Sequence, residues 1–224
     1  MPDLWSRLRY YRHRRLVATA VLLVVLLVLV CQRIGRDFDL EPGPKGRFHA
    51  VRVTDGDSMR LGGGERLRLA NIDAPEEGEP FYDSATTYLA FLAEGRNLEL
   101  RFPLQRRDKY GRLLAWAFVD SIFVGEEMLK SGLAYLSLFK QSDYHHPLVK
   151  RLLAAQRTAI DEQRGLHGLP HEPESHYVAT PTGLRFHRPA CRSIRGLEVQ
   201  HSRTFETREI PLREGLAPCR ICRP

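Results

Sequence analysis

Three short segments in the first half of the chain carry residues suited to phosphodiester hydrolysis. They are Asp55-Gly56-Asp57-Ser58, the stretch from Arg68 to Glu76, and Asp108-Lys109-Tyr110-Gly111-Arg112. Together they offer two carboxylates for a hard divalent cation, a third carboxylate for a general base, and two arginines for a phosphate. A metal-assisted phosphodiesterase needs this set of groups. Each segment alone is typical of an ordinary turn or strand end, so the prediction rests on their occurring together.

Short strands and helices are expected to position these segments. Strand patterns cover 49–53, 58–61, 65–72, 97–102 and 113–119, and helical patterns cover 80–94, 125–131 and 147–164. Five short strands with inserted helices predict a small closed β-barrel of the OB type with helices against it, an α+β fold.

Barrel closure can bring the candidate metal ligands together. Asp57 lies in the turn after the first strand, and Asp73 lies at the end of the third. Arg68 precedes Asp73 in what is predicted to be one continuous strand. The odd spacing between them places the two side chains on opposite faces unless the strand is interrupted.

The net charge of +7 is unevenly distributed. Residues 1–36 carry seven arginines and one aspartate, and residues 178–224 carry nine arginines and four glutamates. Residues 37–177 carry 18 basic and 22 acidic residues. The catalytic region is therefore expected to be mildly acidic, with the basic excess at the two ends.

Residues 16–34 are predicted to form a single transmembrane anchor. The run from Leu16 to Cys31 is uncharged and follows five arginines. As a helix it spans about 24 Å, and flanking arginines can snorkel to complete the crossing. The positive-inside rule places residues 1–15 in the cytoplasm and the catalytic domain outside it. A cleaved signal peptide is the alternative, although no small-x-small site follows the run.

The remaining chain is predicted to divide into a stalk, a catalytic domain, a linker and a small metal-binding module, at 35–46, 47–166, 167–175 and 176–224. The module's candidate ligands are one histidine and three cysteines, two of them in a C-x2-C hook. They are His187, Cys191, Cys219 and Cys222. This set suits a tetrahedral Zn²⁺ site, with a disulfide and one remaining thiol as the alternative.

The nine arginines of the tail are expected to supply phosphate affinity. Deletion of 176–224 should then weaken DNA binding and flatten its salt dependence, while turnover is retained. Unchanged binding would count against this expectation.

Residues 47–165 resemble the staphylococcal nuclease (thermonuclease) family, because all three segments occur in order with compatible intervals. The resemblance implies an OB-fold barrel with three helices and Ca²⁺-dependent cleavage of nucleic acid. It implies that calcium is bound by Asp57, Asp73 and the backbone carbonyl of Ala74. The tail, in turn, is similar to the cysteine-rich module of the Ada alkylation-repair protein.

The same resemblance implies roles for five further residues. Glu76 would be the general base, and Arg68 and Arg112 would bind the phosphate and stabilise the transition state. Lys109 and Tyr110 would contact a neighbouring phosphate.

The sequence departs from the family pattern in three places. Ala74 stands where the family has threonine, and the stretch after Glu76 is shorter than the family's long loop. Leu138 and Lys140 stand where the family stacks tyrosines on the nucleobase.

These observations predict a membrane-anchored, Ca²⁺-dependent nuclease, with nucleic acid as its partner and zinc in its tail. The DNA or RNA preference and the oligomeric state are left open. One alternative is a non-catalytic, nucleic-acid-binding OB-fold adaptor with a zinc module. Another is a membrane-tethered adaptor for DNA in which the tail has the primary role.

Overall fold

The computed structural model describes residues 48–196 and 202–224. Within these ranges no helix combines the length and apolar character needed to cross a bilayer. The predicted anchor at 16–34 and the whole of the predicted stalk at 35–46 lie outside the described residues.

A closed five-stranded barrel forms the body of the protein, as predicted. Its strands are β1 (Phe48–Asp55), β2 (Ser58–Leu61), β3 (Arg66–Leu69), β5 (Asn97–Arg101) and β6 (Leu113–Val119). They pair in the order β3-β2-β1-β5-β6, and a parallel pairing of β3 with β6 closes the barrel. Every residue of β6 is buried. β7 (Ile122–Phe123) extends β6 as a short hairpin.

The predicted strand over 65–72 is wrong in its second half. β3 ends at Leu69, and the chain turns through Ala70 and Asn71 before β4 (Ile72–Asp73) begins. Asn71 takes a left-handed conformation with φ of 62°, which a short polar side chain tolerates. β4 then pairs with β8 (Tyr135–Leu136) instead of continuing in the barrel. Alternation along the predicted strand is interrupted at this turn.

Three helices form at the predicted positions. They are α1 (Tyr82–Ala93), α2 (Val124–Lys130) and α3 (Pro147–Asp161). α1 packs against β1 and α2 against β6, whereas α3 packs mainly against α2. In α3, His146 caps the first turn by accepting a hydrogen bond from the Leu148 N–H at 3.2 Å, and Pro147 occupies the first helical position. The buried face of α3 runs at helical spacing from Leu148 to Ile160.

The C-terminal residues form a small module of short elements. These are β9 (Tyr177–Ala179), β10 (Arg185–Phe186), β11 (Arg203–Phe205), α4 (Glu209–Glu214) and β12 (Ala217–Pro218). β9 pairs with β11, and β10 runs parallel to β12.

The module shares a core with the nuclease-like body. Ile160 of α3 lies in one cluster with Tyr177, Phe186, Phe205 and Leu212 of the module. The domain boundaries at 166 and 176 stay a prediction, but the two parts are packed against each other.

Candidate active site

The turn between β1 and β2 holds Asp57 in a buried position. Asp57 is 7% exposed, and its carboxylate accepts hydrogen bonds from the Ala74 N–H at 3.1 Å and the Ser58 hydroxyl at 2.9 Å. Gly56 has no room for a side chain, because a Cβ there would lie 2.7 Å from the Cβ atoms of both Ala74 and Ala85. The glycine therefore lets α1 and the 70–75 segment press directly against this turn.

Arg68 joins the two candidate metal ligands. One end of its guanidinium forms an ion pair with Asp57, and the other donates to Asp73 Oδ1 at 3.1 Å. The interruption of the strand at Asn71 makes this contact possible, since it reverses the alternation that would separate Arg68 from Asp73. Asp73 is 7% exposed, so both carboxylates are largely shielded from water.

Glu76 lies at the open edge of the same group. Its side chain is 61% exposed and forms an ion pair with Arg220 Nη1 at 2.7 Å. Its backbone N–H donates to Glu79 at 2.9 Å. The predicted general base is thus accessible to solvent and lies beside the predicted metal ligand Asp73.

Two arginines of the C-terminal module contact these carboxylates, and neither is among the site residues predicted from the sequence. Arg220 forms a two-pronged ion pair with Asp73, its Nε lying 3.1 Å from Oδ2. Arg185 Nη2 lies 3.2 Å from the same oxygen. In the sequence, Arg220 is marked by its place inside the C-x2-C hook, and Arg185 by its place two residues before the candidate zinc ligand His187.

Arg112 approaches from the opposite end, near Asp57. Its Nη1 lies 3.3 Å from the Ser58 hydroxyl, which in turn donates to Asp57. Asp108 orients Arg112 by accepting from its Nε at 2.7 Å and from its backbone N–H at 3.0 Å. Arg112 therefore lies beside Asp57 with an oriented guanidinium, the kind of group that binds a phosphate.

Lys109 and Tyr110 lie in the exposed turn that carries Arg112. Tyr110 is 62% exposed, the Lys109 ammonium lies 5.0 Å from its ring centre, and the Arg112 guanidinium lies 5.6 Å from it. At the family's stacking positions, Leu138 is buried and Lys140 is exposed. Phe139 between them is 44% exposed and is the aromatic ring available there.

The two candidate metal ligands have opposite protonation tendencies. Burial raises the pKa of Asp57 to about 6, against the opposing charge of Arg68. Burial acts in the same direction on Asp73, but the hydrogen bond and charge of Arg220, with the charges of Arg68 and Arg185, outweigh it and lower the pKa. Both carboxylates therefore depend on nearby positive charge to ionise in a buried site.

The four predicted zinc ligands come together in the module. One ligand atom from each of His187, Cys191, Cys219 and Cys222 lies within 4.8 Å of the others. Among the described residues, the buried His187 Nδ1 has no hydrogen-bond partner. Cys191, Cys219 and Cys222 are free thiols in the structure.

A cavity of about 400 Å³ opens beside Asp73, between the loop at 73–80 and the module. Pro75 and Pro80 line the loop side of the cavity. The module side is lined by Arg188, Arg220 and Arg223. Arg223 also pairs with Glu79 at 2.7 Å, which ties the loop after Glu76 to the module.

Much of this chain is similar to known nucleases. Residues 66–167 match the family model described as staphylococcal nuclease homologue. The chain is 26% identical over 156 residues to the thermonuclease of Staphylococcus intermedius, covering 64% of this chain and 91% of that protein. It is 30% identical over 120 residues to an uncharacterised endonuclease of Escherichia coli O157:H7, covering 52% of this chain and 73% of that protein. A Haemophilus influenzae endonuclease, also uncharacterised, is 29% identical over 158 residues, covering 69% and 79% respectively.

Proposed function

Because the chain belongs to the staphylococcal nuclease family and is therefore a nuclease, we propose that it hydrolyses DNA or RNA with Ca²⁺ as its cofactor. The proposed site consists of Asp57, Asp73, Glu76, Arg68 and Arg112. The observation that carries this proposal is the contact of Arg68 with both Asp57 and Asp73. That contact places two buried carboxylates beside each other next to the accessible Glu76.

The donor set fits a hard divalent cation. Asp57, Asp73 and the carbonyl of Ala74 are all oxygen donors, which suit calcium and not a soft metal. Calcium would take carboxylate oxygens from, or share them with, Arg68, Arg185 and Arg220, which pair with Asp57 and Asp73 in this structure. When bound, calcium would supply Lewis-acid chemistry to the scissile phosphate.

Side chains of the protein supply the general base and the phosphate-binding groups that hydrolysis also requires. Glu76 is exposed enough to take a proton from the attacking water, as a general base must. Arg68 and Arg112 donate to the non-bridging phosphate oxygens, where negative charge is concentrated in the transition state. Asp108 orients Arg112 for this role. Lys109 and Tyr110, on the same turn as Arg112, bind the neighbouring phosphate.

The direct test compares the full chain with its Glu76→Gln variant on single-stranded and duplex DNA. We expect cleavage with calcium, no cleavage with a calcium-selective chelator, and a loss of about a hundredfold or more in the variant. Glu77→Gln, the adjacent exposed carboxylate, is the matched control and should keep the wild-type rate. Full activity in Glu76→Gln would refute the assignment of the base.

The Cys/His cluster is proposed to bind one structural zinc ion. Three thiols, the free Nδ1 of His187 and their mutual proximity support a tetrahedral site. Such an ion would stabilise a module with a small core. Metal analysis of the purified protein should give about one zinc per chain, reduced in Cys222→Ser. A metal-free wild-type protein with a disulfide would support the alternative.

Residues 16–34 are proposed to anchor the protein in a membrane, with the nuclease domain on the extracytoplasmic side. The support is the uncharged run after a cluster of arginines. The full chain should stay in the membrane pellet after alkaline extraction, whereas residues 46–224 should be released. Release of both would contradict the anchor.

A further inference from the structure

We propose that Arg220 is a third phosphate-binding arginine of the nuclease site, and that the Cys/His cluster of the C-terminal module sets its position. The module is then one wall of the active site and not only a basic tail. This inference rests on the proposed function of Asp73 and Glu76.

Arg220 contacts the two carboxylates that would flank the reacting phosphate. Its guanidinium pairs with both oxygens of Asp73, and its Nη1 lies 2.7 Å from Glu76 Oε1. A phosphate held between the candidate metal ligand and the candidate base therefore lies within reach of this guanidinium. Arg112 meets the same phosphate from the Asp57 end, so the two arginines approach from different sides.

The side chain of Arg220 is free to change partners. It is 49% exposed, whereas that of Arg68 is 12% exposed. Arg220 can therefore exchange a carboxylate oxygen for a phosphate oxygen at the open edge of the site. A guanidinium offers five donors in a planar fork, so it can retain Glu76 or Asp73 with one edge while binding phosphate with another.

The backbone around Arg220 is fixed by the Cys/His cluster. Arg220 lies inside the C-x2-C hook, directly after the buried Cys219. β12, which ends at Pro218, pairs with β10, which carries Arg185 and leads into His187. The Cys219 N–H donates to the Phe186 carbonyl at 2.9 Å. Binding of a metal by the four ligands would therefore hold both Arg185 and Arg220 at Asp73.

The module also closes one side of the cleft next to the carboxylates. Arg220, Arg188 and Arg223 line its side of the 400 Å³ cavity, and Arg223 holds Glu79 of the opposite loop. A nucleic-acid strand that passes Glu76 would run along this basic wall. Deletion of 176–224 would remove that wall together with Arg220. We therefore expect the deletion to lower turnover as well as to weaken binding, which replaces the retained turnover expected from the sequence.

The test uses the full chain with Arg220→Ala and Arg220→Lys, and it measures both turnover and calcium binding. Removing a transition-state donor should lower kcat/KM on single-stranded DNA by about tenfold to a hundredfold in Arg220→Ala, with partial recovery in Arg220→Lys. Arg220→Ala also removes the positive charge beside Asp73, so calcium should bind about fivefold more tightly when its affinity is measured by calorimetry without DNA. Slower turnover combined with tighter calcium binding is a signature that simple loss of structure would not give.

Arg96→Ala is the matched control. Arg96 is an exposed arginine in the turn before β5, next to the end of β1 that lies away from Asp57. This variant should keep the wild-type turnover and calcium affinity. A second variant, Cys222→Ser, should lose turnover in parallel with its loss of zinc.

Glu76→Gln separates this inference from the proposed function. If Glu76→Gln is inactive but Arg220→Ala retains full kcat/KM, the proposed site stands and the role of Arg220 is refuted. If both variants retain full kcat/KM, the proposed site itself is refuted. If Arg220→Ala is slow but binds calcium more weakly than wild type, its effect is structural and the inference also fails.

Discussion

At the scale of single residues, the site depends on a buried arginine with two carboxylate partners. Arg68 is 12% exposed and contacts both Asp57 and Asp73, and burial raises the pKa of Asp57 to about 6. An arginine suits this position because its planar fork can bond two acceptors at once. A lysine offers a single point charge and cannot span both carboxylates in the same way.

Arg68→Lys should therefore fold but lose activity. We expect kcat/KM to fall about a hundredfold, because the site loses a guanidinium and Asp57 and Asp73 are no longer held together. Steady-state cleavage of single-stranded DNA measures the loss, and circular dichroism checks the fold. Arg66→Lys, on the same strand but exposed, should remain close to wild type. A near-normal rate in Arg68→Lys would mean that charge alone suffices.

At the scale of elements, the 3₁₀ turn at Gly165–His167 connects α3 to the C-terminal module. Gly165 packs against Gly132 so closely that a Cβ at Gly165 would lie 2.4 Å from the Gly132 carbonyl oxygen. Both ring nitrogens of His167 are buried and have no hydrogen-bond partner among the described residues, and its ring meets that of Tyr135 edge-on at 5.5 Å. Burial, assisted by the charges of Arg208 and Arg213, lowers the pKa of His167 to about 4.

Because His167 lies in this turn, the stability of the folded protein should depend on pH. The folded-state pKa of His167 lies below the ordinary value of 6.5, so its stabilising contribution is complete above pH 6.5 and is lost as the pH falls toward 4. After allowance for partial burial, His167 should remove roughly 2 kcal/mol of unfolding free energy across that window. Asp57 acts in the opposite direction, because its raised pKa of about 6 stabilises the protein as the pH falls. The contribution of His167 is therefore the difference between the wild type and His167→Phe in urea unfolding at several pH values. His145→Asn, at an exposed histidine, should follow the wild-type pH dependence, and the same pH dependence in all three proteins would contradict the assignment.

At the scale of the whole molecule, the barrel and the C-terminal module form one packed body. The side chain of Gln156 in α3 is fully buried, accepts from the Leu136 N–H at 2.6 Å and donates to the Leu212 carbonyl at 2.6 Å. It thereby links β8, which pairs with the strand carrying Asp73, to α4 of the module. Ile160 adds an apolar contact to the same junction.

Gln156→Leu should loosen this junction. It leaves a buried N–H and a buried C=O without partners, which costs about 2–4 kcal/mol of unfolding free energy. We also expect slower DNA cleavage, because a displaced module withdraws Arg220 from Asp73. Gln141→Leu, at an exposed glutamine, should change neither quantity. A variant with wild-type stability would show that the junction is held by apolar contacts alone.

The barrel strands, three helices, and the candidate carboxylates and arginines could all be predicted from the amino-acid sequence. These features depend on local patterns: alternation in strands, helical spacing in α3, and short motifs at strand ends. The break at Asn71 was missed because a continuous apolar alternation favours a strand, whereas the competing pairing of β4 with β8 depends on residues more than sixty positions away.

The arginines that surround Asp73 are brought there by long-range packing. Arg220 is separated from Asp73 by 147 positions, and its contact depends on docking of the module against α3 and on the cluster that holds the C-x2-C hook. No local pattern encodes such a contact, because the contact is a consequence of how two parts of the chain share a core. The residue types predict nuclease chemistry, and the packing places the tail within that chemistry.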